Sequence, residues 1–102
     1  MRTLFQSRRY TSYQCDNSRC IFIDFQGKII KFSFCQLLAL RQQVKKIDLH
    51  THFSGENKHG LEILVLCNRE HIFILDTSEI IDLKDLIHGS FVMLELNSLV
   101  TF

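Results

Sequence analysis

The residues best suited to chemistry are two cysteines and two histidines. Cys15 and Cys20 flank a four-residue turn at 16–19, which brings the two thiols near each other at the mouth of a hairpin. Further along, His50 and His52 are two residues apart, so both rings lie on one face of an extended segment. Sulfur and imidazole ligands of this kind hold four-coordinate zinc. The pattern predicts a zinc site, although the usual Cys-x-x-Cys spacing is missing; the alternative is a set of half-buried thiols and loop histidines.

A second group of residues could bind single-stranded nucleic acid. Basic and aromatic side chains alternate near the first strands, in Arg8, Arg9, Tyr10, Tyr13 and Arg19. Aromatic rings beside cations are the usual stacking platform for single-stranded bases. Sheet packing is the alternative explanation of these aromatic residues.

Sequence motifs of common enzymes do not occur in this chain. It contains no G-x-S-x-G, no P-loop, no G-x-G-x-x-G and no H-E-x-x-H pattern. We therefore predict a protein that is not an enzyme.

The elements that must position these residues begin with a hairpin and a helix at residues 20–47. Two β-rich segments, 20–25 and 28–32, are joined by a short turn with Gly27. Ser33 is followed three residues later by Gln36, the capping-box pattern at the start of a helix. The sequence thus predicts a ββα unit.

The same order of elements recurs at residues 61–98. A shift of 43 residues places Ser33 on Asp76 and Gln36 on Glu79, which indicates a second ββα unit and an internal repeat. Helical spacing continues through Gly89, so we predict one long helix rather than a sixth strand at 90–96. The intervening residues, 48–60, are predicted to be a long loop.

These elements predict an α+β fold. With one more strand at 9–14, about five antiparallel strands would form one sheet shared by both ββα units, with the two helices on one face. The predicted core contains eight aliphatic residues of the strands and helices: Ile21, Ile23, Leu37, Leu40, Leu64, Leu66, Ile80 and Leu83.

Length and composition limit the class of protein. The 102 residues predict a single domain, 1–102, and 46% hydrophobic with 23% charged residues excludes an intrinsically disordered chain. The first residues do not have the pattern of a secretory signal, and no apolar run has the length that a membrane span needs. We expect a cytoplasmic protein with reduced cysteines.

The two halves of the chain carry opposite charge. Residues 1–46 contain nine Lys and Arg against two acidic residues, whereas residues 47–102 contain three against nine. The halves can attract each other within one domain or between two chains.

The first hairpin has a family resemblance. The pattern Cys15-x4-Cys20-Ile21-x-Ile23-x-Phe25-x-Gly27, followed by Phe32-Ser33 and a helix, resembles a family of small uncharacterised bacterial proteins. In that family a cysteine pair precedes a strand-turn-strand-helix unit. The similarity covers roughly residues 10–46, and it implies no activity. Apart from zinc at Cys15, Cys20, His50 and His52, the sequence predicts no cofactor.

The functional prediction is a non-enzymatic binding or interaction module that forms a homodimer. The C-terminal segment has one charge, Glu95, and apolar residues on two faces of a helix. Phe91 and Leu94 would meet the core, whereas Leu96 and Leu99 would face outward and pair with a second copy. The alternatives are a tail that folds back on its own sheet, a small zinc-binding module and a single-stranded nucleic-acid-binding protein.

Overall fold

The computed structural model describes residues 2–15, 20–55, 60–66 and 70–100. Of these, residues 98–100 are described by their backbone alone. The strands and helices follow one another along the chain in the order β1 (Arg2–Gln6), β2 (Tyr10–Cys15), β3 (Cys20–Phe25), β4 (Lys28–Phe32), α1 (Phe34–Lys46), α2 (Leu49–Ser54), β5 (Leu61–Leu66), β6 (His71–Asp76) and α3 (Thr77–Val100). The predicted α+β class is confirmed.

The strands form two sheets, so the prediction of one shared sheet of about five strands is wrong. Strands β1 to β4 form an antiparallel sheet in chain order, and β5 pairs only with β6. The carbonyl of Val65 accepts a hydrogen bond from the side chain of Gln43, 2.7 Å away on α1. This contact shows that β5 lies beside a helix and not beside a strand of the larger sheet. Strand β1, which the sequence analysis did not anticipate, completes the four-stranded sheet instead.

Both long helices begin at the predicted capping boxes. Ser33 accepts a hydrogen bond from the backbone N–H of Gln36, whose side chain accepts one from Ser33 N–H. Asp76 and Glu79 make the same reciprocal pair at the start of α3. Local side-chain chemistry therefore defines where each helix starts.

Helix α3 continues through Gly89, as predicted. A glycine fits at this position because α3 packs closely against β1 there. A side-chain carbon at Gly89 would lie 2.5 Å from three ring atoms of Phe5 on β1. Glycine costs a helix about 1 kcal/mol relative to alanine. Here that cost allows α3 to approach the sheet.

The two helices run antiparallel over one face of the four-stranded sheet. Near the start of α1, the ring of Phe34 lies 6.3 Å from that of Phe91, and near its end Lys84 Nζ donates to the carbonyl of Ile47. The sheet side chains beneath them are buried, and all eight predicted core residues are at most 4% exposed. The hairpin β5–β6 joins this core through Phe73, whose ring stacks 4.7 Å from that of Phe25.

Residues 48–60 contain a helix that the sequence analysis placed in a loop. Asp48 caps α2 by accepting a hydrogen bond from His50 N–H, and Gly55 ends it in a left-handed conformation with φ of 84°. Six residues are too few to show an apolar helical period, which is why the pattern gave no sign of this helix.

Across the described ranges, no helix has both the length and the apolar character needed to cross a membrane.

Candidate functional site

The two cysteines predicted to bind zinc do lie together. Cys15, at the end of β2, and Cys20, at the start of β3, are directly opposite each other. Cys20 is buried and Cys15 is half-buried. Strand alternation puts both on the face opposite Ile21 and Ile23, away from the two long helices.

The two histidines lie elsewhere. The imidazole of His52 lies between Thr77 Oγ1, 2.8 Å from Nδ1, and Glu62 Oε1, 3.0 Å from Nε2. Thr77 opens α3 beside Arg9, whose guanidinium donates to the carbonyl of Ser78.

The cysteines and His52 lie near opposite ends of β2. His52 contacts Thr77 beside Arg9, next to the start of β2. Cys15 is five residues further along β2 than Tyr10, which is roughly 17 Å at the rise of a β-strand. His50 is exposed on α2. Within the described part of the chain, no three His, Cys, Asp or Glu residues lie close enough to hold a metal ion. The structure thus brings together the cysteine half of the predicted zinc set and not the histidine half.

Thr77, His52 and Glu62 form the hydroxyl, imidazole and carboxylate order that activates a nucleophile in many hydrolases. The His52 side chain, however, is 0% exposed, while that of Glu62 is 31% exposed. A substrate could reach the imidazole only if α2 moved. The two hydrogen bonds of His52 therefore hold α2 against β5 and the start of α3. The sequence gives no sign that Glu62 and Thr77 contact His52, because they lie 10 and 25 residues from it and no motif links them.

Of the residues predicted to bind nucleic acid, Tyr10 is not on the surface. Tyr10 is only 2% exposed, and its ring packs edge-on against that of Phe25, 5.7 Å away. Arg9 is exposed and bonds Ser78 on α3. Arg19 lies outside the described residues. Burial of Tyr10 removes the central ring of the predicted stacking platform.

Asp82 locks the turn between β1 and β2 to α3. Its carboxylate accepts hydrogen bonds from the Ser7 hydroxyl at 2.8 Å and from the backbone N–H groups of Arg8 at 3.1 Å and Arg9 at 2.9 Å. Burial raises the pKa of this carboxyl, but the three hydrogen bonds outweigh burial and hold its pKa below the ordinary value. The acidic side chain is thus part of the framework and not an acid poised for proton transfer.

An apolar surface covers the outer face of the hairpin β5–β6. We call it the hairpin face and define it by four exposed side chains, Leu61, Ile63, Ile72 and Ile74, together with the half-exposed Val65 between them. The exposed fractions of the first four are 47%, 68%, 62% and 63%. Ile63 is directly opposite Ile74, and Val65 is directly opposite Ile72. Adjacent isoleucines at this exposure form a continuous patch that is typical of an interaction site.

The C-terminal part of α3 has a second, smaller set of exposed apolar residues. Phe91 and Leu94 pack against the core, as predicted, and Leu96 is 48% exposed on the other side with Val92 at 40%. The Leu99 side chain, on which the predicted dimer contact also depends, is outside the described residues.

Comparison with known proteins adds no identity to this geometry: no family model, no curated protein and no solved structure matches the chain. The resemblance of the first hairpin to a family of small bacterial proteins therefore stays a prediction.

Proposed function

We propose that this protein is a non-enzymatic interaction module that works as a homodimer joined through the hairpin face. The observation that carries the proposal is the exposure of Ile63, Ile72 and Ile74, each more than 60% exposed on one side of a two-stranded sheet. Isolated two-stranded hairpins are marginal in water and gain stability when an apolar face is covered. One side of this hairpin is covered by the protein's own core, and the other is available to a partner.

A second copy of the chain is the partner that fits this face best. The five side chains of the hairpin face carry no charge, and Asp76, opposite Leu61, lies at one end of it, so a two-fold axis through the isoleucine rows brings apolar side chains together. The rows Ile63–Ile74 and Val65–Ile72 consist of side chains of similar size, so each can pack across its own copy. The patch is small beside the roughly 800 Å² that each partner buries in a standard interface. We therefore expect dissociation in the micromolar range.

Analytical ultracentrifugation over low to high micromolar concentrations tests the proposal. The wild-type chain should shift from its monomer mass of 12.0 kDa to twice that mass as concentration rises. The double variant Ile63→Lys, Ile74→Lys should stay monomeric, since two buried ammonium groups per copy would face each other.

The matched control adds the same charges to the other apolar patch, in the variant Val92→Lys, Leu96→Lys. This control should dimerise like the wild type. A wild-type chain that is monomeric at high micromolar concentration would overturn the proposal. So would dissociation caused by the α3 variant alone, because the interface would then lie on the helix.

A further inference from the structure

The facing sides of α1 and α3 enclose a cleft of about 240 Å³ that has a basic rim and an apolar floor. We call it the interhelix cleft. Its lining consists of Arg41, Val44 and Lys45 from α1 and of Lys84, Ile87, His88 and Phe91 from α3. Three of the seven residues are arginine or lysine, one is histidine, and none is acidic. Its volume lies just below the range of about 300–1,000 Å³ that is typical of sites for drug-sized ligands.

Arg41 is held in place for recognition by an aromatic ring. Its guanidinium carbon lies 4.3 Å from the centroid of the Phe91 ring, a cation–π contact that fixes the plane of the head group. Arg41 Nε is buried and has no hydrogen-bond partner within the described residues. Because this nitrogen is enclosed by protein atoms, an anion in the cleft would accept hydrogen bonds from the terminal nitrogens of the Arg41 guanidinium.

The two lysines add charge nearer the end of α1 than Arg41. Lys84 Nζ uses one donor on the carbonyl of Ile47 at the end of α1, 3.1 Å away, which leaves two donors on the ammonium group. Lys45 is exposed at the rim. The exposed Asp85, one residue after Lys84, lines a different cavity with Arg8 and Arg9. Within the cleft itself, cationic charge is therefore not balanced by a carboxylate of the described chain.

The floor of the cleft is apolar. Val44 and Ile87 are at most 4% exposed beneath the basic groups. Arg41 and Phe91 also border an adjoining, more open cavity with Phe34, Leu94 and Glu95. An anionic head group would meet Arg41 and the lysines, while an apolar or aromatic group attached to it would rest on Phe91.

From this arrangement we propose that the interhelix cleft binds a small phosphate monoester with an apolar or aromatic group. A phosphate monoester at neutral pH carries close to two negative charges and three acceptor oxygens, which matches one guanidinium fork and two ammonium groups. A carboxylate has one charge and would satisfy fewer of these donors. The cleft lies on the helix layer and not on the hairpin face, so this site is independent of the proposed homodimer.

Isothermal titration of the full chain at slightly alkaline pH with phenyl phosphate is the primary test. Phenyl phosphate should bind at one site per chain, more tightly than inorganic phosphate or benzoate. Arg41→Gln and Lys45→Gln should each weaken binding about tenfold or more, as expected for a lost charged hydrogen bond. Phe91→Leu should reduce the preference for phenyl phosphate over inorganic phosphate.

Lys46→Gln is the matched control, since Lys46 is the exposed neighbour of Lys45 and does not line the cleft. It removes the same charge from the same helical turn and should leave affinity unchanged. Three outcomes would overturn the proposal. These are no heat of binding for phenyl phosphate at millimolar concentration, equal affinity for benzoate, or equal weakening by Lys46→Gln and Lys45→Gln. Circular dichroism of each variant establishes that a lost signal is not a lost fold.

Discussion

The two hairpin–helix units, β3–β4–α1 and β5–β6–α3, start from the same local signals and end in different surroundings. In both, a polar cap and a glutamine or glutamate three residues later open the helix. The helix positions that align at the shift of 43 are buried alike: Leu37 with Ile80, Leu40 with Leu83 and Val44 with Ile87. The hairpins differ. The first is extended by β1 and β2 into a four-stranded sheet, and the second remains two-stranded.

The outer faces of the two hairpins show what this difference means. On the first hairpin the outward positions are mixed: the charged Asp24 and Lys31 alternate with Phe22 and with Ile29, which is 59% exposed. On the second they include Ile63, Ile72 and Ile74. A strand that is apolar on both faces is typical of a sheet covered on both sides. The second hairpin has the composition of an interior strand pair, while its own chain covers only one face.

The sequence predicted whatever depends on neighbours along the chain. The capping boxes, the buried stripes of both helices and the length of α3 follow from side-chain spacing of three or four residues. Which strands pair with each other does not follow from this spacing. The apolar run of β5 is compatible with any covered sheet, and only the contact of Gln43 with Val65 shows that α1 occupies its edge.

In the candidate site, too, the sequence predicted the contact between residues close together along the chain and not the contacts between distant ones. Strands β2 and β3 pair so that Cys15 lies opposite Cys20, as predicted. The partners of His52 come from β5 and α3, and their meeting depends on how α2 folds back, for which the sequence has no local signal.

The largest expected effect tests whether the two units share one core. Leu40 and Leu83 occupy aligned positions and are 1% and 0% exposed. The two variants to compare are Leu40→Ala and Leu83→Ala. Each should lower the free energy of unfolding by about 2–5 kcal/mol because each leaves a cavity in the same apolar cluster. Urea denaturation followed by circular dichroism measures both. A loss near zero for one variant and a full loss for the other would show that the units unfold separately.

A smaller effect concerns the aromatic contacts that join the two units, which run from Tyr10 through Phe25 to Phe73. Burial, then the nearby carboxylate of Glu79, raises the pKa of Tyr10 from 10.0 to about 12. Between these two values the unfolded chain loses the phenolic proton while the folded chain keeps it, so stability falls as pH rises. Two pKa units correspond to about 3 kcal/mol.

Tyr10→Phe should lack this alkaline loss while keeping the ring contacts. At neutral pH it should be no less stable than the wild type, since the Tyr10 hydroxyl is buried without a partner in the described chain. Tyr13→Phe, on the half-exposed tyrosine of the same strand, is the control and should retain the wild-type alkaline loss. Identical pH profiles for Tyr10→Phe and the wild type would contradict this account.

The close approach of α3 to β1 has no equivalent in α1, and Gly89→Ala tests it. Alanine improves helix propensity by about 1 kcal/mol, but its methyl group would overlap the Phe5 ring. We expect a net loss of about 1–2 kcal/mol, typical of overpacking. In a Phe5→Ala background the same change should become stabilising, because the ring is gone. Thermal unfolding of the four proteins of this cycle measures the coupling, and additive effects would exclude the clash.

The smallest expected effect separates the two helix caps by their charge. Ser33→Ala should lower stability by about 1 kcal/mol at every pH, since the serine hydroxyl is a neutral acceptor. The Asp76 carboxylate accepts from Glu79 N–H and from the Ser78 hydroxyl, and these bonds, in that order, hold its pKa below the ordinary value. A depressed folded-state pKa gives stability that is present above the ordinary carboxyl pKa and is lost as pH falls through the lowered value. The penalty of Asp76→Asn should therefore be measurable at neutral pH and shrink on acidification, whereas that of Ser33→Ala should stay constant. Denaturation midpoints between neutral and acidic pH make the comparison, and a penalty for Asp76→Asn that does not change with pH would show that the two caps act alike despite their different charge.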